Sequence, residues 1–181
     1  MSHAPGSLLA VTVLGHDRPG IVADTTAALA AIGGNLEDST MTLLRGSFAM
    51  LLLVRAAADE DGVRSALAGL EADGRLTVEV RRVPDDGEEP PGPVAATTPY
   101  VLSVHGADRP GIVSALTGVV AGAGGNITDL TTRLTGDLYV LLAEVSLPES
   151  ADVEAVRAAL AVTAEELGVD ASLRPVETDE L

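Results

Sequence analysis

A short motif that occurs twice contains the residues best suited to holding a small ligand. Asp-Arg-Pro-Gly-Ile-Val begins at Asp17 and again at Asp108, an offset of 91 residues. Proline presets the backbone for a helix start, while glycine lets a ligand approach the main chain. The free amides at such a helix end carry partial positive charge and suit a small anion such as a carboxylate. The aspartate would either cap the helix or accept a hydrogen bond from an ammonium group.

A second polar position recurs in the same register. Gly-Gly-Asn ends at Asn35 and at Asn126, in each case 18 residues after the aspartate. Taken alone, the first motif can be only a capped turn, and the asparagine can serve only a left-handed or bulged backbone. Their co-occurrence in both copies favours binding, because helix amides, an asparagine amide and an aspartate carboxylate complement the carboxylate and ammonium of a free amino acid.

The residue types needed for catalysis, metal binding or covalent cofactor attachment are absent or not suitably spaced. The chain has no cysteine and no lysine, which excludes disulfides, thiolate metal sites, Schiff bases and a P-loop lysine. His16 and His105 each occur in one copy only, and no histidines and acids fall at metal-ligand spacing. No serine has a histidine and an acid at a recognisable distance along the chain. We therefore expect no catalytic residue, no metal, no cofactor and no enzymatic activity.

Composition narrows the class of partner. Hydrophobic residues make up 46% of the 181 residues, and 27 acidic against 11 basic residues give a net charge of −16. So acidic a chain repels phosphate, and we expect no direct contact with nucleic acid or with an anionic membrane. No apolar run approaches the roughly 20 residues that span a bilayer. Residues 1–6 lack the pattern of a signal peptide, so we expect a cytoplasmic protein.

The elements that must position these residues follow one order in both copies. Alternating apolar residues predict a strand before each Asp-Arg-Pro-Gly, and apolar residues at helical spacing predict a helix after it. A hairpin turning at Arg45-Gly46 or Gly136-Asp137, a second helix and a closing strand follow. In the second copy, Ser150 is the predicted N-cap of that helix. The order predicts an α+β fold, a βαββαβ unit whose antiparallel sheet carries two helices on one face.

The repeat also predicts the domain boundaries. Residues 1–83 and 99–181 form the two predicted domains. Residues 84–98, rich in proline, glycine and acid, are predicted to be a solvated linker. About fifteen residues at ~3 Å each can cross a small domain, so the two units can pack side by side.

Both copies carry Asp-Arg-Pro-Gly-Ile-Val and Gly-Gly-Asn-(Leu/Ile)-x-Asp, and the tandem units resemble ACT domains. The whole-chain arrangement is similar to the glycine cleavage system transcriptional repressor family. The resemblance implies ferredoxin-like units paired side by side, with small-molecule sites at their junction. Carried over by position, it implies two pseudo-symmetric ligand sites, the first formed by Asp17, Arg18, Gly20, Ile21 and Asn126, and the second by Asp108, Arg109, Gly111, Ile112 and Asn35.

The resemblance implies a non-enzymatic regulatory protein that senses a small amino acid of the glycine or serine type. It also implies a protein partner, with a role in the transcriptional regulation of amino-acid metabolism that acts through that partner, and it allows a homodimer. The alternative is a protein–protein interaction or dimerisation module with a vestigial pocket. Some serine-binding ACT domains carry asparagine at the positions of Asp17 and Asp108, and the extra carboxylate here favours an amine and disfavours a carboxylate.

Overall fold

The computed structural model describes residues 6–84 and 96–176, and the chain divides into two compact units between residues 91 and 92. The predicted linker 84–98 lies outside the described residues except at its two ends. Among the residues that are described, no helix combines the length and the apolar character needed to cross a membrane.

The first unit follows the predicted order of elements. A short 3-10 turn (Ala68–Glu71) extends its second helix. Its elements are β1 (Ser7–His16), α1 (Ile21–Ala31), β2 (Asn35–Leu44), β3 (Ser47–Ala56), α2 (Glu60–Leu67) and β4 (Leu76–Arg82). The strands form one antiparallel sheet in the order β2-β3-β1-β4.

The second unit has the same architecture. Its elements are β5 (Thr97–Ala107), α3 (Ile112–Gly122), β6 (Asn126–Thr135), β7 (Leu138–Pro148), α4 (Val153–Leu167) and β8 (Val169–Pro175). The sheet order is β6-β7-β5-β8, again antiparallel. The predicted α+β fold of two βαββαβ units is therefore confirmed.

Alternation along the strands explains why each sheet packs its helices on one face. In β1, Leu9, Val11 and Val13 are 0% exposed and form the core of the first unit. Side chains between them point to the other face, where Leu14 is 54% and Leu51 of β3 is 43% exposed. In this way period-two alternation buries one sheet face against the helices and leaves the opposite face accessible within the unit.

The Gly-Gly pair that follows the first helix of each unit has a packing role. A Cβ atom on Gly34 would stand 2.9 Å from the carbonyl oxygen of Leu29, and one on Gly125 would stand 2.6 Å from Leu147 Cδ2. Real Cβ atoms do not tolerate such contacts. The second glycine of each pair therefore allows the backbone to pass close to the helix and the sheet as it enters the next strand. The pair thus sets where the following asparagine begins its strand.

The predicted N-cap of α4 at Ser150 is wrong. Asp152 is the N-cap, and its Oδ1 accepts a hydrogen bond from the Ala155 amide at 3.0 Å. Before the helix begins, the chain makes a turn closed by the Ala151 amide donating to the Pro148 carbonyl at 2.9 Å. Ser150 belongs to that turn, so the helix starts two residues later than a cap at Ser150 would predict.

Candidate functional site

A backbone hydrogen bond holds the first Asp-Arg-Pro-Gly loop in place, and both loops end in a glycine of left-handed conformation. In the first unit, the Asp17 amide donates to the Gly46 carbonyl at 2.9 Å, which ties the loop to the β2–β3 turn. Gly20 is the N-cap of α1 with φ 92°, and Gly111 is the N-cap of α3 with φ 94°. This left-handed conformation strains any residue with a Cβ, which explains why the fourth position of both loops is glycine.

The helix start in the first unit has no side-chain cap, and the same is true of α3. The interpretation of Asp17 as a helix cap is therefore wrong, because no carboxylate oxygen accepts from the first turn of α1. Amides from Ile21 to Ala23 consequently have no capping partner. They are available to a small anion.

A cavity of about 310 Å³ opens in front of this turn in the first unit. Four predicted ligand-binding residues line it together: Asp17, Arg18, Gly20 and Ile21. On the sheet side, Met41 of β2 and Phe48 of β3 supply an apolar wall. The cavity therefore offers a carboxylate and helix amides on one side and a hydrophobic surface on the other.

Arg18 is engaged by a residue that sequence reasoning missed. Its Nη1 donates to Asp24 Oδ2 at 2.9 Å and to the Pro19 carbonyl oxygen at 3.2 Å. Both side chains are partly exposed, at 31% for Arg18 and 52% for Asp24. Asp24 lies in the first turn of α1, where an acid also interacts favourably with the helix dipole. At the same offset of 91 residues, the second unit has Ala115.

Arg109, the counterpart of Arg18, takes a different position. Its guanidinium lies over Gly168, the C-cap of α4, where an added Cβ would stand 3.3 Å from Arg109 Cζ. The sheet register explains the difference: Gly15 pairs with Leu76, and Gly106 pairs with Val169. The residue before the closing strand is thus Gly168 in the second unit and Arg75 in the first. The first unit therefore lacks the glycine over which the guanidinium of Arg109 lies in the second.

The two asparagines lie far from the loop of their own unit. Asn35 pairs with Arg55 at one end of β3, while His16, next to the loop, pairs with Ser47 at the other end. Eight residues of strand at about 3.4 Å each separate these positions by roughly 27 Å. Asn126 is placed equivalently, opposite Ser146. Neither unit brings its own asparagine to its own loop, so the exchange of asparagines between the units stays a prediction.

The comparison with protein families agrees with this geometry. The ACT domain family matches residues 7–81 and again residues 98–174, which is most of the chain. This chain belongs to the ACT domain family. Each βαββαβ unit is one ACT domain, and the predicted resemblance is confirmed.

Three known proteins show how far the similarity reaches. A UPF0237 protein of Methanopyrus kandleri is 54% identical over 44 residues, which are 24% of this chain and 49%, about half, of that protein. The glycine cleavage system transcriptional repressor of Escherichia coli K12 is 27% identical over 178 residues, 93% of this chain and 90% of the repressor. The crystal structure of an unknown protein from Galdieria sulphuraria superposes with a TM-score of 0.81 at 35% identity, covering 94% of this chain and 99% of the other. Both long matches span the tandem pair of ACT domains.

The surroundings of the two asparagines differ between the ACT domains. Opposite Asn35, Arg55 is only 8% exposed, and its Nε donates to Glu37 Oε1 at 2.6 Å. Glu37 stands at a β-bulge in β2. The second ACT domain has Thr128 and Ser146 at the positions of this ion pair. Arg55 directly follows the apolar run 48–54, and that position was the one sequence signal for it.

The histidines do not join the candidate site. His16 is exposed at the end of β1. His105 Nε2 lies 3.6 Å from Asp170 Oδ2, and both side chains are largely exposed. Within residues 6–84 and 96–176, no three His, Cys, Asp or Glu side chains are grouped so that they could hold a metal ion.

Proposed function

We propose that this ACT domain protein is a non-enzymatic regulator that binds a small amino acid of the glycine or serine type at its Asp-Arg-Pro-Gly loops. The observation that carries the proposal is the cavity in which Asp17, Arg18 and the uncapped first turn of α1 meet. Its volume of about 310 Å³ is at the lower end of the range of about 300–1,000 Å³ for ligand pockets. A small ligand suits it.

The ligand's carboxylate binds at the start of the helix. The uncapped amides from Ile21 to Ala23 point toward the N-terminal end of α1, where the partial positive charge of the helix adds to the hydrogen bonds. The guanidinium of Arg18 lines the same cavity and offers a charge-assisted hydrogen bond.

The ligand's ammonium group pairs with the carboxylate of Asp17, which is exposed and not used as a helix cap. In this assignment the aspartate of each loop binds the positive charge of the ligand, a role that it would not have with an uncharged ligand. The extra carboxylate weakens the binding of the ligand's own carboxylate, so a zwitterion is favoured over a simple anion.

The site is completed from the other ACT domain. We place Asn126 beside the loop of Asp17, and Asn35 beside the loop of Asp108, with each side-chain amide donating to the ligand's carboxylate. Both asparagines are exposed at the first residue of an edge strand, so they are accessible to a neighbouring domain. A ligand held between two domains stabilises their paired state and shifts the population toward it.

Occupancy then acts on a protein partner rather than on DNA. The net charge of −16 opposes binding to phosphate. The similarity to a glycine cleavage system transcriptional repressor over 93% of this chain supports a role in regulating amino-acid metabolism. In this proposal the domains extend over residues 1–83 and 99–181, with 84–98 as the linker.

A second candidate function is an interaction module whose pocket is vestigial. All ten residues of the edge strand β2 are exposed. They include Leu36, Met41, Leu43 and Leu44, which are 44–60% exposed. An exposed apolar edge strand is a ready template for pairing with another strand, which favours dimerisation whether or not a ligand binds.

Isothermal titration of the full chain with glycine, with L-serine and then with the other amino acids tests the proposal. We expect saturable heat with at least one of them, together with a rise in melting temperature. The double variant Asp17→Ala with Asn126→Ala should abolish one site, while the control Asp61→Ala, an exposed acid in the first turn of α2, should not. Absence of heat and of thermal shift with every amino acid contradicts sensing. If the protein assembles normally but binds no amino acid, the interaction module is the candidate function that remains.

A further inference from the structure

The two Asp-Arg-Pro-Gly loops have nearly the same sequence but a different arrangement of charge. In the first ACT domain, the space above the N-cap is occupied: a Cβ on Gly20 would stand 3.7 Å from Asp24 Oδ2 and 3.8 Å from Arg18 Nη1. In the second, a Cβ on Gly111 would meet no atom within 4 Å. The same point on the two helices is thus covered by an ion pair in one case and open in the other.

From this difference we propose that Asp24 makes the two amino-acid sites unequal. Asp24 competes with the ligand's carboxylate for Arg18, whereas nothing equivalent competes for Arg109, so the loop of the second ACT domain is the tighter site. This inference rests on the function proposed above and adds a specificity-determining residue to it.

The competition follows from where the Asp24 carboxylate lies. It holds Nη1 of Arg18 at 2.9 Å, and it borders the N-cap glycine beside the first-turn amides. A ligand's carboxylate bound at those amides would therefore meet a second negative charge a few ångströms away. It would also find the guanidinium already paired, so binding in the first ACT domain must displace Asp24 from Arg18 or do without Arg18.

In the second ACT domain the corresponding position is Ala115, which carries no charge. Among the described residues, no carboxylate lies within ion-pair distance of Arg109. Its guanidinium rests over Gly168 at the carboxyl end of α4. Turning toward a ligand therefore breaks no salt bridge.

The expected difference is modest because the ion pair is partly exposed. Asp24 is 52% and Arg18 is 31% exposed, so water screens the charges. Repulsion between two unit charges about 4 Å apart in a water-like medium weakens binding about fivefold, so we expect the affinities of the two sites to differ by about threefold to tenfold. The difference should shrink as salt is raised, because the Debye length falls from about 10 Å at 0.1 M to about 3 Å at 1 M.

Titration of the full chain with L-serine and with glycine tests the inference when each site is observed alone. The Asp108→Ala background leaves the first loop, and the Asp17→Ala background leaves the second. On the first background, Asp24→Ala should raise the affinity about threefold to tenfold. On the second, Ala115→Asp should lower it by a similar factor.

Asp61→Ala is the matched control, because it removes an aspartate that pairs with Arg64 in the exposed first turn of α2. It should leave both affinities unchanged, and circular dichroism should show that every variant is folded. If the parent chain binds and neither substitution changes its site, or if Asp24→Ala weakens binding, the inference is overturned while the proposed function stands. If the parent chain binds no amino acid, both are overturned.

Discussion

Removing the carboxylate of Glu37 should destabilise the first ACT domain. Glu37 accepts from Arg55 at two points, Nε to Oε1 at 2.6 Å and Nη2 to Oε2 at 3.4 Å. Arg55 is 8% exposed, so a guanidinium that loses these acceptors cannot turn freely to water. The variant Glu37→Ala therefore leaves a buried charge with fewer partners.

The size of the effect follows from the geometry of the pair. Breaking a fully buried ion pair costs about 3–5 kcal/mol, and a hydrogen bond to a charged group contributes about 1.5–3 kcal/mol. Glu37 is 31% exposed, and Arg55 retains the Gly6 carbonyl oxygen at 3.3 Å. These two features reduce the cost, and we expect Glu37→Ala to lower the free energy of unfolding by about 1.5–3 kcal/mol.

Urea denaturation measures the loss. Both tyrosines, Tyr100 and Tyr139, belong to the second ACT domain, and the chain has no tryptophan. Tyrosine fluorescence therefore follows the second domain, while far-ultraviolet circular dichroism follows both. The part of the circular-dichroism transition that belongs to the first domain should move to lower urea by about 1 M, given denaturant slopes of about 1–3 kcal/mol/M for small domains.

A matched control and a compensated variant make the prediction refutable. Glu79→Ala breaks the ion pair with Arg81, whose partners are 55% and 75% exposed, and should change the free energy of unfolding by less than about 0.5 kcal/mol. Replacing both partners of the buried pair, as Glu37→Leu with Arg55→Met, should restore most of the stability. Equal midpoint shifts for Glu37→Ala and Glu79→Ala would refute the reasoning.

Further substitutions test the loop and the core by the same urea measurement. Gly20→Ala should cost about 1–2 kcal/mol, because φ is 92° but no atom lies within 3.7 Å of the new Cβ. Gly15→Ala should cost more, about 3 kcal/mol or above, because its Cβ would stand 2.0 Å from the carbonyl oxygen of Arg75; an equal cost at both glycines would contradict the steric argument. Thr25→Val should change the free energy of unfolding by less than about 1 kcal/mol. The Ile21 carbonyl, which accepts from Thr25 Oγ1 at 2.7 Å, still accepts the helical hydrogen bond from the backbone amide of residue 25. A loss above about 2 kcal/mol would show that the hydroxyl is needed.

The order of the elements was predictable because it depends on short-range patterns. Period-two alternation in Leu9, Val11 and Val13 was enough to predict β1 and its buried face. The repeat at an offset of 91 residues then supported the first strand, the first helix and the hairpin of one copy with their counterparts in the other. Turn residues worked in the same way, since Arg45 and Gly46 take the positive φ values of 49° and 85° that a two-residue hairpin requires.

The errors and omissions concern side chains whose partners are set by three-dimensional packing. A capping role for Asp17 is wrong because Gly20 takes the N-cap position in a left-handed conformation, and Asp17 stands three residues before it. Asp24 was missed because its partner Arg18 lies six residues back across the N-cap, outside the helical spacings of three and four. Arg55 was missed because its burial depends on a bulge in the neighbouring strand.

We have proposed that the loop of each ACT domain holds the carboxylate of a free amino acid together with the asparagine of the other domain, and the other functional proposals depend on this one. Nuclear magnetic resonance of the ¹⁵N-labelled full chain during titration with L-serine or glycine tests it most directly. We expect saturable shifts at the backbone amides of the N-cap and first turn, namely Gly20, Ile21, Gly111 and Ile112, and at the side chains of Asn35 and Asn126. Shifts confined to other surfaces of the protein, or no shifts with either amino acid, would contradict it.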